Sequence, residues 1–111
     1  MRLIVMGQQA FGKDVLEKII QKGVDEVVAV YCEPDKEGRP VDPIKEFAIE
    51  NKISVIQPVH FRDKDTLQKL ASYKADLMVM AFVNIFVPEL ARNTPELGSI
   101  CFHPSLLPLH R

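Results

Sequence analysis

The residues best suited to chemistry stand near the end of the chain, where a short apolar stretch meets a histidine and a proline-flanked loop. Residues 99–103 are typical of a buried strand, because they are mostly apolar and Pro104 cannot continue a strand ladder. His103 therefore falls at the carboxyl end of a strand, where open parallel sheets bind ligands. Pro104 and Pro108 fix φ on both sides of residues 105–107, so the loop can hold a ligand at small entropic cost. The same spacing also fits a core strand that ends in a buried, hydrogen-bonded histidine.

The elements that must position His103 alternate between strand and helix along the chain. Strands are predicted at residues 2–6, 26–31, 53–56, 76–83 and 99–103, and helices from Phe11 or Gly12 to Gly23, from Asp42, from Asp63 or Asp65, and between Pro88 and Pro95. This alternation predicts an α/β protein with a Rossmann-like, doubly wound parallel sheet. The simplest strand order is 3-2-1-4-5, with a switch point between strands one and four.

Residues 7–12 carry the outer glycines of a dinucleotide-binding fingerprint without its central glycine. Gln9 stands where only glycine lets a pyrophosphate approach the backbone. We therefore expect no NAD in this segment. Glu33, which would be the ribose ligand in such a site, is interpreted as a solvated loop residue.

Composition excludes several classes of function. With 111 residues, 47% of them hydrophobic, the chain can bury one core, and its net charge of -1 gives no reason to expect contact with nucleic acid. The longest apolar run, residues 77–83, is far shorter than the ~18 residues of a membrane span. We expect a cytoplasmic protein without a metal site, in which His60 is a surface residue. Cys32 and Cys101 lie on strands too far apart for a disulfide.

Several motifs resemble the 10-formyltetrahydrofolate-dependent formyltransferase superfamily. They are His103-Pro104-Ser105-Leu106-Leu107-Pro108 followed by Arg111, and the stretches at residues 7–12, 33–38 and 81–88. The last three stretches are most similar to the hydrolase domain of 10-formyltetrahydrofolate dehydrogenase, and methionyl-tRNA formyltransferase belongs to the same superfamily. The resemblance implies that residues 1–111 are the amino-terminal part of a single formyltransferase-like domain.

The resemblance also implies a site for a reduced folate. His103 is the expected general acid, which donates to the formyl carbonyl oxygen as negative charge develops there. The expected folate-binding residues are Ile85, Phe86, Val87, Cys101, Ser105, Leu106, Leu107 and Pro108. From the residues alone, the apolar loop at 85–87 fits packing against another part of the domain equally well. An aspartate further along the family's sequence supports the histidine, and no position here matches it.

One departure from the family pattern bears on the reaction. Most of the superfamily has asparagine two residues before the histidine, whereas this chain has Cys101 and the dehydrogenase-type domain also lacks the asparagine. The formyl acceptor can therefore be water or an amine, such as that of methionyl-tRNA. Cys101 is interpreted as a packing residue rather than a nucleophile, because nothing near it in sequence lowers the pKa of a thiol. An inactive folate-binding or scaffold fragment, with self-association through strand five, is the alternative outside the enzyme class.

Overall fold

The computed structural model describes residues 1–81 and 86–102. Within these ranges the strands are β1 (Arg2–Gly7), β2 (Glu26–Tyr31), β3 (Val55–Ile56), β4 (Leu77–Ala81) and β5 (Ser99–Phe102). The helices are α1 (Gln9–Lys22), α2 (Pro43–Glu50), α3 (Lys64–Ser72) and α4 (Glu89–Arg92). No helix among these residues is long and apolar enough to cross a membrane.

The strands form one parallel sheet in the order β3-β2-β1-β4-β5, which confirms the predicted fold and topology. Alternate residues of β1 point to opposite faces of the sheet, as strand geometry requires. Ile4 and Met6 join the hydrophobic cluster that includes Leu70 of α3, whereas Val5 packs with Leu16 of α1 on the other face. Because helices cover both faces, the central strands are continuously apolar.

Local chemistry sets most of the helix ends. The Asp42 side chain caps α2 by accepting a hydrogen bond from the Ile44 amide, and Pro43 follows at the first helical position. Asp63 caps α3 by accepting from the Thr66 amide. Gly23 ends α1 in the left-handed conformation, with φ of 66°. These caps were predicted from the sequence, and the structure chooses Asp63 over Asp65.

Four predicted boundaries were wrong, and the smallest error is at β1, which ends at Gly7 rather than at Met6. Helix α1 begins at Gln9 rather than at Phe11 or Gly12, because the Gly12 amide already donates a hydrogen bond to the carbonyl oxygen of Gln8 at 3.0 Å. Strand β3 begins at Val55 rather than Ile53, and β4 begins at Leu77 rather than Asp76, because only the shorter segments have ladder partners.

Strand β5 differs from the buried strand that its apolar residues indicated. Ile100 and Phe102 each remain 44% exposed, and Cys101 is also exposed. The reason is topological, since β5 is the outer strand of the sheet and pairs on one side with β4 in the described part of the chain. The described residues therefore have the exposed strand that self-association through strand five would require. Cys32 and Cys101 are free thiols, as predicted.

Candidate functional site

Three strand ends meet at the carboxyl edge of the sheet. Gly7 of β1 is the register partner of Ala81 of β4, and Ala81 is the partner of Phe102 of β5. A β-carbon added to Gly7 would lie 2.7 Å from the carbonyl oxygen of Ala81, so this approach of two backbones requires glycine. The edge is the predicted switch point, where ligands bind in open α/β sheets.

The turn from β1 into α1 is fixed by a residue far along the sequence. Gln9 has a φ of 58°, which is uncommon for a residue with a side chain. Its amide donates a 2.6 Å hydrogen bond to Oδ1 of Asp42, the same oxygen that accepts from the Ile44 amide at 3.0 Å. One carboxylate therefore holds the starts of both α1 and α2. The sequence identified Asp42 only as a cap, because nothing local indicates its contact with Gln9.

A polar groove of about 450 Å³ lies between the start of α1 and the segment that joins β2 to α2. Its lining residues are Gln9, Ala10, Glu33, Pro34, Asp35, Lys36, Arg39, Pro40, Val41, Asp42 and Pro43. Glu33 pairs with Lys36 at 3.6 Å, so it is a half-buried ion-pair partner rather than a freely solvated residue. The groove carries charges of both signs, which suits a polar ligand.

Asp35 is an acid of this groove that two side chains contact. It accepts a 2.6 Å hydrogen bond from Nζ of Lys45 and a 2.9 Å bond from Nε2 of Gln57. These bonds, that of Lys45 first, hold the pKa of Asp35 below its usual value. Since both partners stabilise the charged form, Asp35 is an anion at neutral pH and orders the wall of the groove.

Next to the groove, the end of β2 is buried, and its ionisable side chains are unreactive. Burial raises the pKa of the Cys32 thiol to about 12, and Asp42 acts in the same direction. Burial also raises the pKa of Tyr31, with a further contribution from Tyr73. Both side chains therefore remain neutral at physiological pH, so neither supplies an anionic nucleophile there.

The described residues include three of the predicted folate-binding residues. Phe86 is 76% exposed, whereas Val87 is only 6% exposed and packs in the hydrophobic cluster with Ala91. Cys101 is exposed on β5, with Met80 as its register partner. The other expected site residues lie outside the described residues: Ile85, His103, Ser105, Leu106, Leu107 and Pro108. Their roles stay predictions.

His60 lies at the surface, as expected, with 42% of its side chain exposed. Its Nδ1 accepts a hydrogen bond from the Arg62 amide at 3.2 Å and lies 3.4 Å from Oδ1 of Asp63. Across residues 1–81 and 86–102, no three potential ligands are grouped as a metal ion would require.

Comparisons with known proteins place the chain in a family. The model of the formyl transferase family matches residues 1–111, so the chain belongs to that family. It is 38% identical over 116 aligned positions to the methionyl-tRNA formyltransferase of Clostridioides difficile (strain 630), with 100% of this chain and 37% of the relative covered. The methionyl-tRNA formyltransferase of Pseudomonas fluorescens (strain Pf0-1) is 35% identical, with 100% and 36% covered. The chain thus spans little more than a third of these relatives.

Solved structures show the same fold at lower identity. The chain is similar to phosphoribosylglycinamide formyltransferase from Bacillus halodurans, with a TM-score of 0.70, 19% identity, and coverage of 98% of this chain and 59% of that one. It is also similar to glycinamide ribonucleotide transformylase 1 from Symbiobacterium toebii, with a TM-score of 0.67, 18% identity, and coverage of 98% and 54%. These two likenesses establish the arrangement of strands and helices.

Proposed function

We propose that this chain is part of an enzyme that transfers a formyl group from 10-formyltetrahydrofolate to an amine. The observation that carries the proposal is the family match, which extends from residue 1 to residue 111. In the reaction the amine nitrogen attacks the formyl carbon, the bond from that carbon to N10 of the folate breaks, and N10 takes up a proton. The sheet's carboxyl edge supports the proposal as the position for such a ligand.

The acceptor that the relatives favour is methionyl-tRNA. Two relatives with 38% and 35% identity carry that name, which supports the transfer alternative over the hydrolase that the sequence motifs resembled most closely. A chain with a net charge of -1 provides little attraction for a polyanion. We therefore propose that the residues that contact tRNA lie chiefly in the region of the relatives that this chain does not span. A cytoplasmic location stays a prediction.

Within this proposal His103 acts on the formyl carbonyl. The imidazole donates a hydrogen bond or a proton to the carbonyl oxygen as the tetrahedral intermediate forms, a role suited to a group with an ordinary pKa of about 6.5. Residues 105–108, together with Ile85 and Phe86, hold the folate, whereas Val87 packs in the hydrophobic cluster. The support is the resemblance of the motif at residues 103–108 and its position directly after β5 in the chain.

Hydrolysis is the second candidate, and Cys101 is the residue that favours it. A thiol at this position cannot replace the strong amide donor that most of the superfamily places there. The carbonyl oxygen would then have one donor fewer in the transition state. Under this alternative, water attacks the formyl carbon and the products are tetrahydrofolate and formate.

The two candidates are separated by the fate of the formyl group in the full protein. We would supply 10-formyltetrahydrofolate labelled in the formyl carbon, with and without methionyl-tRNA, and measure label in tRNA and in formate. The proposal predicts label in the methionyl group and little formate. Formate release at the same rate with and without tRNA would overturn amine transfer in favour of hydrolysis, and no turnover in either case would leave only a folate-binding or scaffold role.

Variants at Cys101 test how this position affects the reaction. Cys101→Asn adds an amide donor, which we expect to raise the rate of transfer, by up to ~2.7–4 kcal/mol of transition-state stabilisation if it is aligned as an oxyanion-hole donor. Cys101→Ala removes the thiol and should leave most of the activity intact. If a folded Cys101→Ala protein were inactive, the cysteine would be a nucleophile and its interpretation as a packing residue would be wrong.

A further inference from the structure

Two polar side chains at the carboxyl edge are buried without a protein partner. Gln8 and Tyr31 are each only 1% exposed. Nε2 of Gln8 and Oη of Tyr31 have no hydrogen-bond partner among the residues that the structure describes. Native proteins rarely leave such groups unpaired, because a buried donor that has lost its water is costly.

Both atoms belong to residues that line one small cavity between β1 and β2. Its volume is about 10 Å³, and the rest of its lining includes Met6, Cys32, Pro58 and Phe61. A cavity of roughly 10–15 Å³ is the smallest that holds one water molecule, which typically needs two to four polar partners. The size and the two unpaired side chains therefore fit the same occupant.

The chemistry of the lining favours a water molecule over an ion. An amide nitrogen presents two N–H donors and would repel a cation, whereas water can accept from it and still donate elsewhere. Oη of Tyr31 can then accept from the water or donate to it. The carboxylate of Glu33 also belongs to a lining residue, and it disfavours an anion.

We infer that the cavity binds one ordered water molecule, which joins Gln8 to Tyr31. The water links the turn between β1 and α1 to the carboxyl end of β2. Gln9, the next residue in that turn, is held from the other side by Asp42. The turn is thus fixed at two successive residues, by a buried water at one and by a carboxylate at the other. This inference is independent of the proposed reaction.

A crystal structure of the full protein, at a resolution that shows ordered solvent, tests the site directly. We expect one water molecule within hydrogen-bond distance of both Nε2 of Gln8 and Oη of Tyr31. A direct bond between the two side chains, or a cavity without electron density, would overturn the inference.

The stability of the Tyr31→Phe variant provides a second test. The direction in which its denaturation midpoint changes shows whether the hydroxyl binds a water molecule. If the hydroxyl is bound to a buried water, its removal strands that water and lowers the midpoint of chemical denaturation. If the hydroxyl has no partner, its removal relieves a desolvation cost and raises the midpoint. Tyr73→Phe is the matched control. The Tyr73 ring packs edge-on against the Tyr31 ring, with 6.5 Å between the ring centroids, and Tyr73 is only partly buried. A midpoint raised by Tyr31→Phe alone would contradict the site.

The variant Gln8→Met distinguishes a stability change caused by loss of the bridging water from other consequences of changing Tyr31. The methionine keeps most of the side-chain volume but cannot donate, so the water loses a partner. Because both variants remove the same bridge, we expect their combined shift in midpoint to be smaller than the sum of the single shifts. Additive shifts would mean that the two side chains share no water.

Discussion

The two cysteines show how strongly surroundings decide the chemistry of a side chain. Cys32 is 6% exposed at the end of β2, and its pKa is raised to about 12, first by burial and then by Asp42. Cys101 lies exposed on β5. The predicted strand order already placed Cys101 on an outer strand, whereas the burial of Cys32 depends on how α2 packs against the sheet, which no local pattern shows.

The raised pKa of Cys32 predicts a loss of stability at alkaline pH. The thiol loses its proton near pH 9 in the unfolded chain but only near pH 12 in the folded one. Between these values the folded state binds more protons, so the free energy of unfolding falls as pH rises. Denaturant titrations from pH 8 to pH 10 on the full protein would measure this decline.

Cys32→Ala is the variant for comparison, because it removes the titrating group. Its free energy of unfolding should be lower overall but should depend less on pH over the same interval. Tyr31, whose pKa is also raised from its ordinary value of 10.0, contributes at the upper end of this range and above it, and equally in both proteins. An equal pH dependence in the two proteins would show that Cys32 is not the group responsible.

At the level of the elements, Asp42 connects the starts of α1 and α2 near the carboxyl edge. A single oxygen accepts from the amides of Gln9 and Ile44, at 2.6 and 3.0 Å, and so fixes α1 against α2. The cap at Ile44 was predictable, because Asp-Pro at a helix start is a local signal. The bond to Gln9 spans 33 residues and follows from the packing of the two helices, which no local pattern contains.

Asp42→Ala is expected to destabilise the protein by about 0.5–2 kcal/mol from the lost α2 cap alone, with a further loss from the Gln9 amide. Asp42→Asn keeps an acceptor oxygen and should cost much less. Chemical denaturation measures the first effect, and hydrogen exchange at the Gln9 amide measures the second. Equal stability of the alanine and asparagine variants would contradict this role of the carboxylate.

The boundaries of β3 show the limit of periodicity as a guide. The mostly apolar residues from 53 to 56 predicted a strand of four residues, but only Val55 and Ile56 have register partners on β2, and Ser54 only accepts a hydrogen bond from the Val30 amide. The order of the five strands was nevertheless predictable, since right-handed crossovers between alternating strands and helices leave few arrangements. Topology follows from the alternation, whereas strand ends follow from pairing.

At the scale of the whole molecule, an apolar groove of about 380 Å³ runs between α1 and the strands β1, β4 and β5. Phe11, Val15 and Ile19 of α1 line one side, and Ile100 and Phe102 line the other. Exposed apolar surface beside an outer strand tends to attract another chain. Nothing in the sequence pattern of α1 alone reveals this groove, because the same apolar stripe also fits a fully covered helix.

The 111-residue chain, produced by itself, is therefore expected to self-associate. It is also expected to be catalytically inactive, because no position in it matches the aspartate that supports the histidine in the family. Light scattering coupled to size exclusion should show a mass that increases with concentration. Replacing both Ile100 and Phe102 with lysine should shift the chain toward monomer, since the charges oppose apolar contact. Ile49→Lys is the control, because Ile49 is 57% exposed on α2, away from the groove. A wild-type chain that stays monomeric would contradict the expectation.

We propose that His103 acts on the formyl carbonyl during transfer in the full protein, and the variant His103→Asn tests this role. His103→Asn removes the group that can donate a proton, so we expect kcat to fall about 10²–10⁴-fold, with a much smaller change in KM for 10-formyltetrahydrofolate. His60→Asn is the matched control, since His60 is a surface residue, and its kcat should match that of the unchanged protein. A folded His103→Asn protein that keeps the kcat of the His60→Asn protein would contradict the account.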